Sequence, residues 1–75
     1  MKTRPPLKQL GLSVRKRREA LGLTQEDFAD RLDMNRAYYW RLEHGRKDIR
    51  LSTLTRVCEG LKIPMWQLLK DVESA

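Results

Sequence analysis

Two helix-opening signals stand eleven residues apart, at Thr24 and Asn35, and a pair of short helices joined by a tight turn satisfies both. The segment they govern runs TQEDFADRLDMNRAYYWRLEHG, from Thr24 to Gly45. Thr24 is a favourable N-cap, and Asp27 three residues on makes a capping-box-like pair with it. Phe28, Ala29 and Leu32 follow at i, i+1 and i+4, one buried stripe on a helix of about two turns. Asp33 and Met34, polar then apolar, fill the turn. The helix opened by Asn35 runs to Gly45, a residue suited to the left-handed stop beyond a helix end.

The second of these helices has two unlike faces. Tyr39 and Leu42 point one way, with Tyr38 at the edge of the same face. Arg36, Ala37, Trp40 and Arg41, spaced i, i+1, i+4 and i+5, point the other way. A helix that buries one face and shows two arginines and an indole on the other is built to touch something. Two helices joined by so short a turn form a helix-turn-helix, whose second helix can enter the DNA major groove.

Charge leads to the same kind of partner. The net charge is +6, and its distribution says more than its total. From Lys2 to Arg18 there are seven basic residues and no acid; from Arg36 to Arg50 there are five basic and two acidic. Between Glu19 and Asn35 lie five acids and only Arg31, and from Leu51 onward the count balances at three against three. Positive charge is concentrated on the N-terminal segment, the second motif helix and the loop after it, which suits a polyanion meeting one side of the molecule. Seventy-five residues make one small domain, too short for a separate catalytic or ligand-binding unit. A single cysteine forms no internal disulfide, and MKTRPPLK lacks the apolar stretch of a signal peptide. No apolar run approaches the roughly 20 residues of a membrane span, so the expectation is a cytoplasmic protein without membrane contact. His44 is the one histidine, and no metal-ligand cluster, phosphate-cradling glycine loop or nucleophile motif accompanies it. The chain therefore reads as a non-enzyme with no cofactor and no metal.

Taken in order, residues 1–6 form a basic arm, 7–72 the helical domain and 73–75 a tail. The arm reaches along a DNA groove or is simply a disordered terminus. Leu7, Leu10, Val14 and Leu21 make an apolar stripe on a first helix ending near Gly22. Arg18 falls on that stripe, where an arginine needs a partner. The candidate is Glu43, next to the apolar face of the second motif helix; the alternative is an Arg18 that is solvated or on phosphate. After Gly45, Arg46, Lys47 and Arg50 make a basic loop. Ser52 is the expected cap of a fourth helix, with Leu51, Leu54, Val57, Cys58 and Leu61 on its buried side. Gly60 there would allow close helix approach. Pro64 opens a fifth helix, in which Met65, Leu68 and Val72 suggest the inward stripe. Trp66 and Leu69 point at least partly elsewhere. This leaves surplus apolar surface at the C-terminal end: Met65, Trp66 and Leu69 form a dimer interface, or Trp66 folds back over a thin core.

TQEDFADRL, NRAYYWRLEHG and LSTLTRVCEGLKI, in this order and spacing, resemble the Xre-type helix-turn-helix family, which includes the lambdoid phage repressors and Cro proteins. The resemblance runs from about Leu10 to Leu69. It implies an all-α, compact five-helix lambda-repressor-like domain, usually dimeric, that regulates transcription. It also implies that Arg18 and Glu43 pair inside the domain, that Gln25 holds the first motif helix against phosphate, and that the last helix contributes to a twofold interface. One departure is Asp33, where the family commonly has glycine because the turn is left-handed; aspartate tolerates that region better than most residues. NRAYYWRLEHGRKDIRLSTL is similar to the controller proteins of restriction–modification systems, with an Arg-small-Tyr triplet and a Glu-x-Gly helix end.

For phosphates the candidates are Gln25, Tyr38, Arg46 and Lys47, although Tyr38 also reads as a packing aromatic. For bases they are Arg36 and Arg41, each able to present two donors to guanine O6 and N7, with Ala37 and Trp40 against thymine methyls. Trp40 otherwise packs on the sugar–phosphate rail or covers part of the core. The partners to expect are double-stranded DNA, a second copy of the chain and RNA polymerase. The rival reading is an antitoxin-type protein-binding module that also binds its own promoter, against which stands the lack of a spare segment to wrap a toxin.

Overall fold

The computed structural model describes residues 6–74. Among them the chain forms five α-helices and no strand: α1 Leu7–Ala20, α2 Gln25–Arg31, α3 Arg36–Glu43, α4 Leu51–Leu61 and α5 Met65–Ser74. This is the all-α, five-helix architecture expected, with the helix-turn-helix at α2 and α3. The basic arm lies outside the described residues apart from Pro6.

Local chemistry sets the motif's boundaries. The Thr24 hydroxyl accepts from the Asp27 amide at 3.1 Å, and the Asn35 side chain accepts from the Tyr38 amide at 3.0 Å. Each satisfies a backbone donor that the first turn leaves without an intrahelical partner. Asp33 takes φ 53°, the left-handed conformation the turn requires, and Gly45 ends α3 at φ 67°. Met34 then turns inward against the core.

The core is built from all five helices: Leu10 and Val14 of α1, Phe28 and Ala29 of α2, Tyr39 and Leu42 of α3, Val57, Cys58 and Leu61 of α4, and Leu68 and Val72 of α5. Phe28 and Tyr39 meet edge to face with ring centroids 5.4 Å apart, a favourable aromatic geometry. Cys58 is buried there, and desolvation pushes its thiol above the usual range, as suits a packed rather than a reactive sulfur. No helix among the described residues is long and apolar enough to cross a membrane.

Two apolar positions depart from the stripes on which they fall. Leu51 is 69% exposed, because α4 opens there, one residue before Ser52, with Arg50 as an N-cap that makes no side-chain bond. At 100° per residue Leu51 also lies roughly 70° round from the centre of the Leu54–Val57–Cys58–Leu61 stripe. Leu21 is exposed as well, since α1 stops at Ala20 and leaves it beyond the last turn.

Gly11 has a packing role that its place inside a helix conceals. A Cβ there would overlap the Glu43 carbonyl, so the missing side chain is what lets α1 lie against the C-terminal end of α3. Alanine favours helix over glycine by about 1 kcal/mol, and the tertiary contact here opposes it. Gly11→Ala is expected to lower unfolding stability by about 1–3 kcal/mol in urea titrations, the usual cost of overpacking. A stabilised variant would refute the close approach.

Candidate nucleic-acid interface

The interface begins on the buried side of α3. Arg18 and Glu43 are almost fully enclosed, with side chains 8% and 1% exposed. Arg18 Nε donates to Glu43 Oε2 at 2.6 Å and Nη2 to Oε1 at 3.3 Å, while Nη1 donates to the Leu23 carbonyl. Gln25 Nε2 donates to Oε1 at 3.0 Å, and the Tyr39 hydroxyl donates to Oε2. One carboxylate thus ties α1, α2 and α3 together. Among the described residues no buried side-chain nitrogen or oxygen lacks a partner.

The protonation states follow from this wiring. Burial pushes the Glu43 carboxyl upward, but the hydrogen bonds from Arg18, Gln25 and Tyr39 outweigh it and hold the group below the ordinary carboxylate range. The hydrogen bond to Glu43 raises Arg18, and burial followed by the Glu43 bond raises the Tyr39 hydroxyl. The triad is therefore a guanidinium, a carboxylate and a neutral phenol at neutral pH.

With Tyr39, Leu42 and Glu43 turned inward, Arg36, Ala37, Trp40 and Arg41 are all exposed on the opposite side of α3. Arg36 pairs with Asp30 of α2: Nε reaches Oδ1 at 3.1 Å and Nη2 reaches Oδ2 at 2.7 Å. The bond from Arg36 draws the Asp30 carboxyl below its usual range. Arg41 has no ion-pair partner among the described residues. Trp40, 42% exposed, stacks on His44 with centroids 3.8 Å apart and planes 16° from parallel. His44 Nδ1 lies 2.8 Å from the Trp40 carbonyl, so as a donor it would cap the end of α3.

The loop after α3 adds charge to the same aromatics. The Arg46 guanidinium carbon lies 5.8 Å from the Trp40 ring centroid, and Lys47 Nζ lies 5.9 Å from that of Tyr38. Cations and rings alternate along this edge, each within cation–π range. Tyr38 is half-buried against the core, and Gln25 is half-buried with one amide hydrogen committed to Glu43 and the other available. On α5, Trp66 is 61% and Leu69 43% exposed, whereas Met65 packs partly on the core. No group of three His, Cys, Asp or Glu residues able to hold a metal ion occurs among the described residues.

Three side chains of this region gave little warning in the sequence. Asp30 stands there only as one of the five acids between Glu19 and Asn35, and in the structure it pairs with Arg36. Tyr39 reads as a core aromatic, yet its hydroxyl completes the Glu43 network. Gln25 reads as a phosphate ligand and also binds Glu43. A polar tip on a core-facing tyrosine was the one signal available.

Two short helices with one capped turn, the second wedged against the body and bare on its outer side, define a helix-turn-helix domain. Residues 9–65 match the sequence profile of the helix-turn-helix domain family, and the chain belongs to it. It is 37% identical over 57 residues to control protein C.MunI of Mycoplasma sp, covering 76% of this chain and 77% of that protein. The fold is similar to the restriction-modification controller protein C.AhdI from Aeromonas hydrophila, with a TM-score of 0.79 and 29% identity over 83% of this chain and 94% of that one. It is also similar to the clp gene regulator ClgR from C. glutamicum, with a TM-score of 0.88 and 25% identity over 97% and 94%.

Removing either member of the buried pair is expected to cost about 3–5 kcal/mol, because the other charge is left enclosed and alone. Arg18→Met, Glu43→Leu and the double variant, compared by urea unfolding, are expected to show a double loss well below the sum of the singles. Additive losses would mean that the pair is uncoupled. The pair also has an acid signature. A carboxyl held low in the folded state binds fewer protons there than in the unfolded chain, so its contribution is complete above the ordinary glutamate value of about 4.3 and is lost as pH falls through the lower folded value. Glu43→Gln is expected to flatten stability against pH in that window; an unchanged acid limb would be the contrary result.

Proposed function

We propose that this chain is a sequence-specific DNA-binding transcriptional regulator of the restriction–modification controller type, with Asn35–His44 as its recognition helix in the major groove. The observation that carries the reading is the division of α3: its inner side is locked by Glu43, Tyr39 and Leu42, and its outer side presents Arg36, Ala37, Trp40 and Arg41 to solvent. Arg36 and Arg41 supply paired donors for guanine, Ala37 permits close approach, and Trp40 meets thymine methyls or the sugar–phosphate rail. Arg46 and Lys47 neutralise phosphates beside them, joined by Tyr38 and the second amide hydrogen of Gln25. The control protein and controller named above support the regulatory reading.

The functional unit in this proposal is a twofold dimer formed through the exposed part of α5, Trp66 and Leu69 with Met65 at their edge. Its two recognition helices would lie about 34 Å apart and read half-sites one helical turn apart on an approximately palindromic operator. Occupying a promoter, such a dimer either blocks RNA polymerase or touches and recruits it.

In gel-shift titrations on a duplex enriched from a random pool, Arg36→Ala and Arg41→Ala are each expected to cost about 1–3 kcal/mol and to relax preference at particular base pairs. Lys47→Ala is expected to weaken all duplexes similarly and to reduce the salt slope by about one. Unchanged sequence preference in both arginine variants would remove α3 from the recognition role. Sedimentation at micromolar concentration is expected to show a dimer that Trp66→Ala weakens; a monomer that remains single on DNA would rule the dimer out.

A further inference from the structure

The Arg36–Asp30 pair spans the turn of the motif, from the last turn of α2 to the first residue of α3. Its geometry is side-on: Nε and Nη2 address two different carboxylate oxygens. A guanidinium has a second donor edge, formed by its two Nη groups, and either edge can give paired hydrogen bonds. Pairing with Asp30 leaves the outer edge open and fixes the plane in which it lies. We propose that Asp30 is a specificity-determining positioning residue, which reads no base itself but orients Arg36 to read a guanine through that outer edge. The inference rests on the recognition-helix reading of α3.

Two considerations separate this from a structural staple. The side chains are 62% and 56% exposed, and ion pairs so open to water contribute little to stability. The turn has other supports as well, in the Asn35 cap, the inward Met34 and the Met34 amide bonded to the Ala29 carbonyl at 2.9 Å. A carboxylate beside a phosphate-facing helix also repels every duplex alike. Asp30 should therefore lower overall affinity while raising discrimination, so removing it moves the two quantities in opposite directions.

The test uses the full chain, a duplex enriched from a random-sequence pool by the unmodified protein, and a shuffled duplex of the same composition, at one fixed salt concentration. Asp30→Asn is expected to bind the shuffled duplex severalfold more tightly, while the enriched-to-shuffled affinity ratio falls by roughly tenfold, the low end of what a paired guanine contact discriminates. In an Arg36→Ala background, Asp30→Asn is expected to leave that ratio unchanged, because the residue it positions is gone. A ratio retained by Asp30→Asn overturns the proposal. So does an equal fall in the Arg36→Ala background, or a melting midpoint well below that of the unmodified protein. If the unmodified protein enriches no sequence, the recognition-helix reading itself fails, a result distinct from all of these.

Discussion

Glu43 is the point at which three helices are fastened, and the orientation of everything outside depends on it. An apolar contact between α1 and α3 would hold them together while leaving each some freedom to roll about its axis. Hydrogen bonds to this α3 carboxylate from Arg18 of α1 and Gln25 of α2 remove that freedom, while the Tyr39 hydroxyl, on α3 itself, holds the carboxylate in place. Gly11 brings the backbones close enough for the arrangement to close, since it faces the carbonyl of the same glutamate. Burying two ions is costly compared with burying two leucines. What the charged version adds is direction: the rotation of α3 decides which residues stand on its outer side.

That rotation connects packing to recognition. Tyr39 and Trp40 are neighbours in sequence, one wholly enclosed and the other 42% exposed. A small roll of α3 would partly cover the arginines and expose the tyrosine. The outer surface is also ordered by its own contacts, with Trp40 stacked on His44, and Arg46 and Lys47 lying over rings. Charge on this face is held by short-range geometry as well as by long-range attraction.

How much of this could be read from the amino acids varies with the kind of signal. The helix-turn-helix was legible because Thr24, Asn35 and Gly45 are local devices acting within one turn of themselves, and Asp33 with them. The five-helix order was legible because α4 and α5 carry clean apolar stripes. Leu51 and Leu21 misled because periodicity identifies a face without saying where along it the packed body ends. Gly11, the Tyr39 hydroxyl and Asp30 were hidden for another reason: each matters through a residue six to thirty-two positions away, or through a polar tip on an otherwise apolar side chain. Arg18 announced that it needed a partner, since a charge on an apolar stripe is conspicuous. How many groups would share its carboxylate was not legible.

The placement of the indoles has a practical corollary. Neither tryptophan is in the core: Trp40 sits on the outer side of α3 against His44, and Trp66 is on α5 with 61% of its surface open. Their near-ultraviolet emission is therefore a poor gauge of whether the interior is intact and a sensitive one of what lies against these two surfaces. With one indole replaced by phenylalanine at a time, the molecule carries a built-in optical probe for each surface and needs no attached dye.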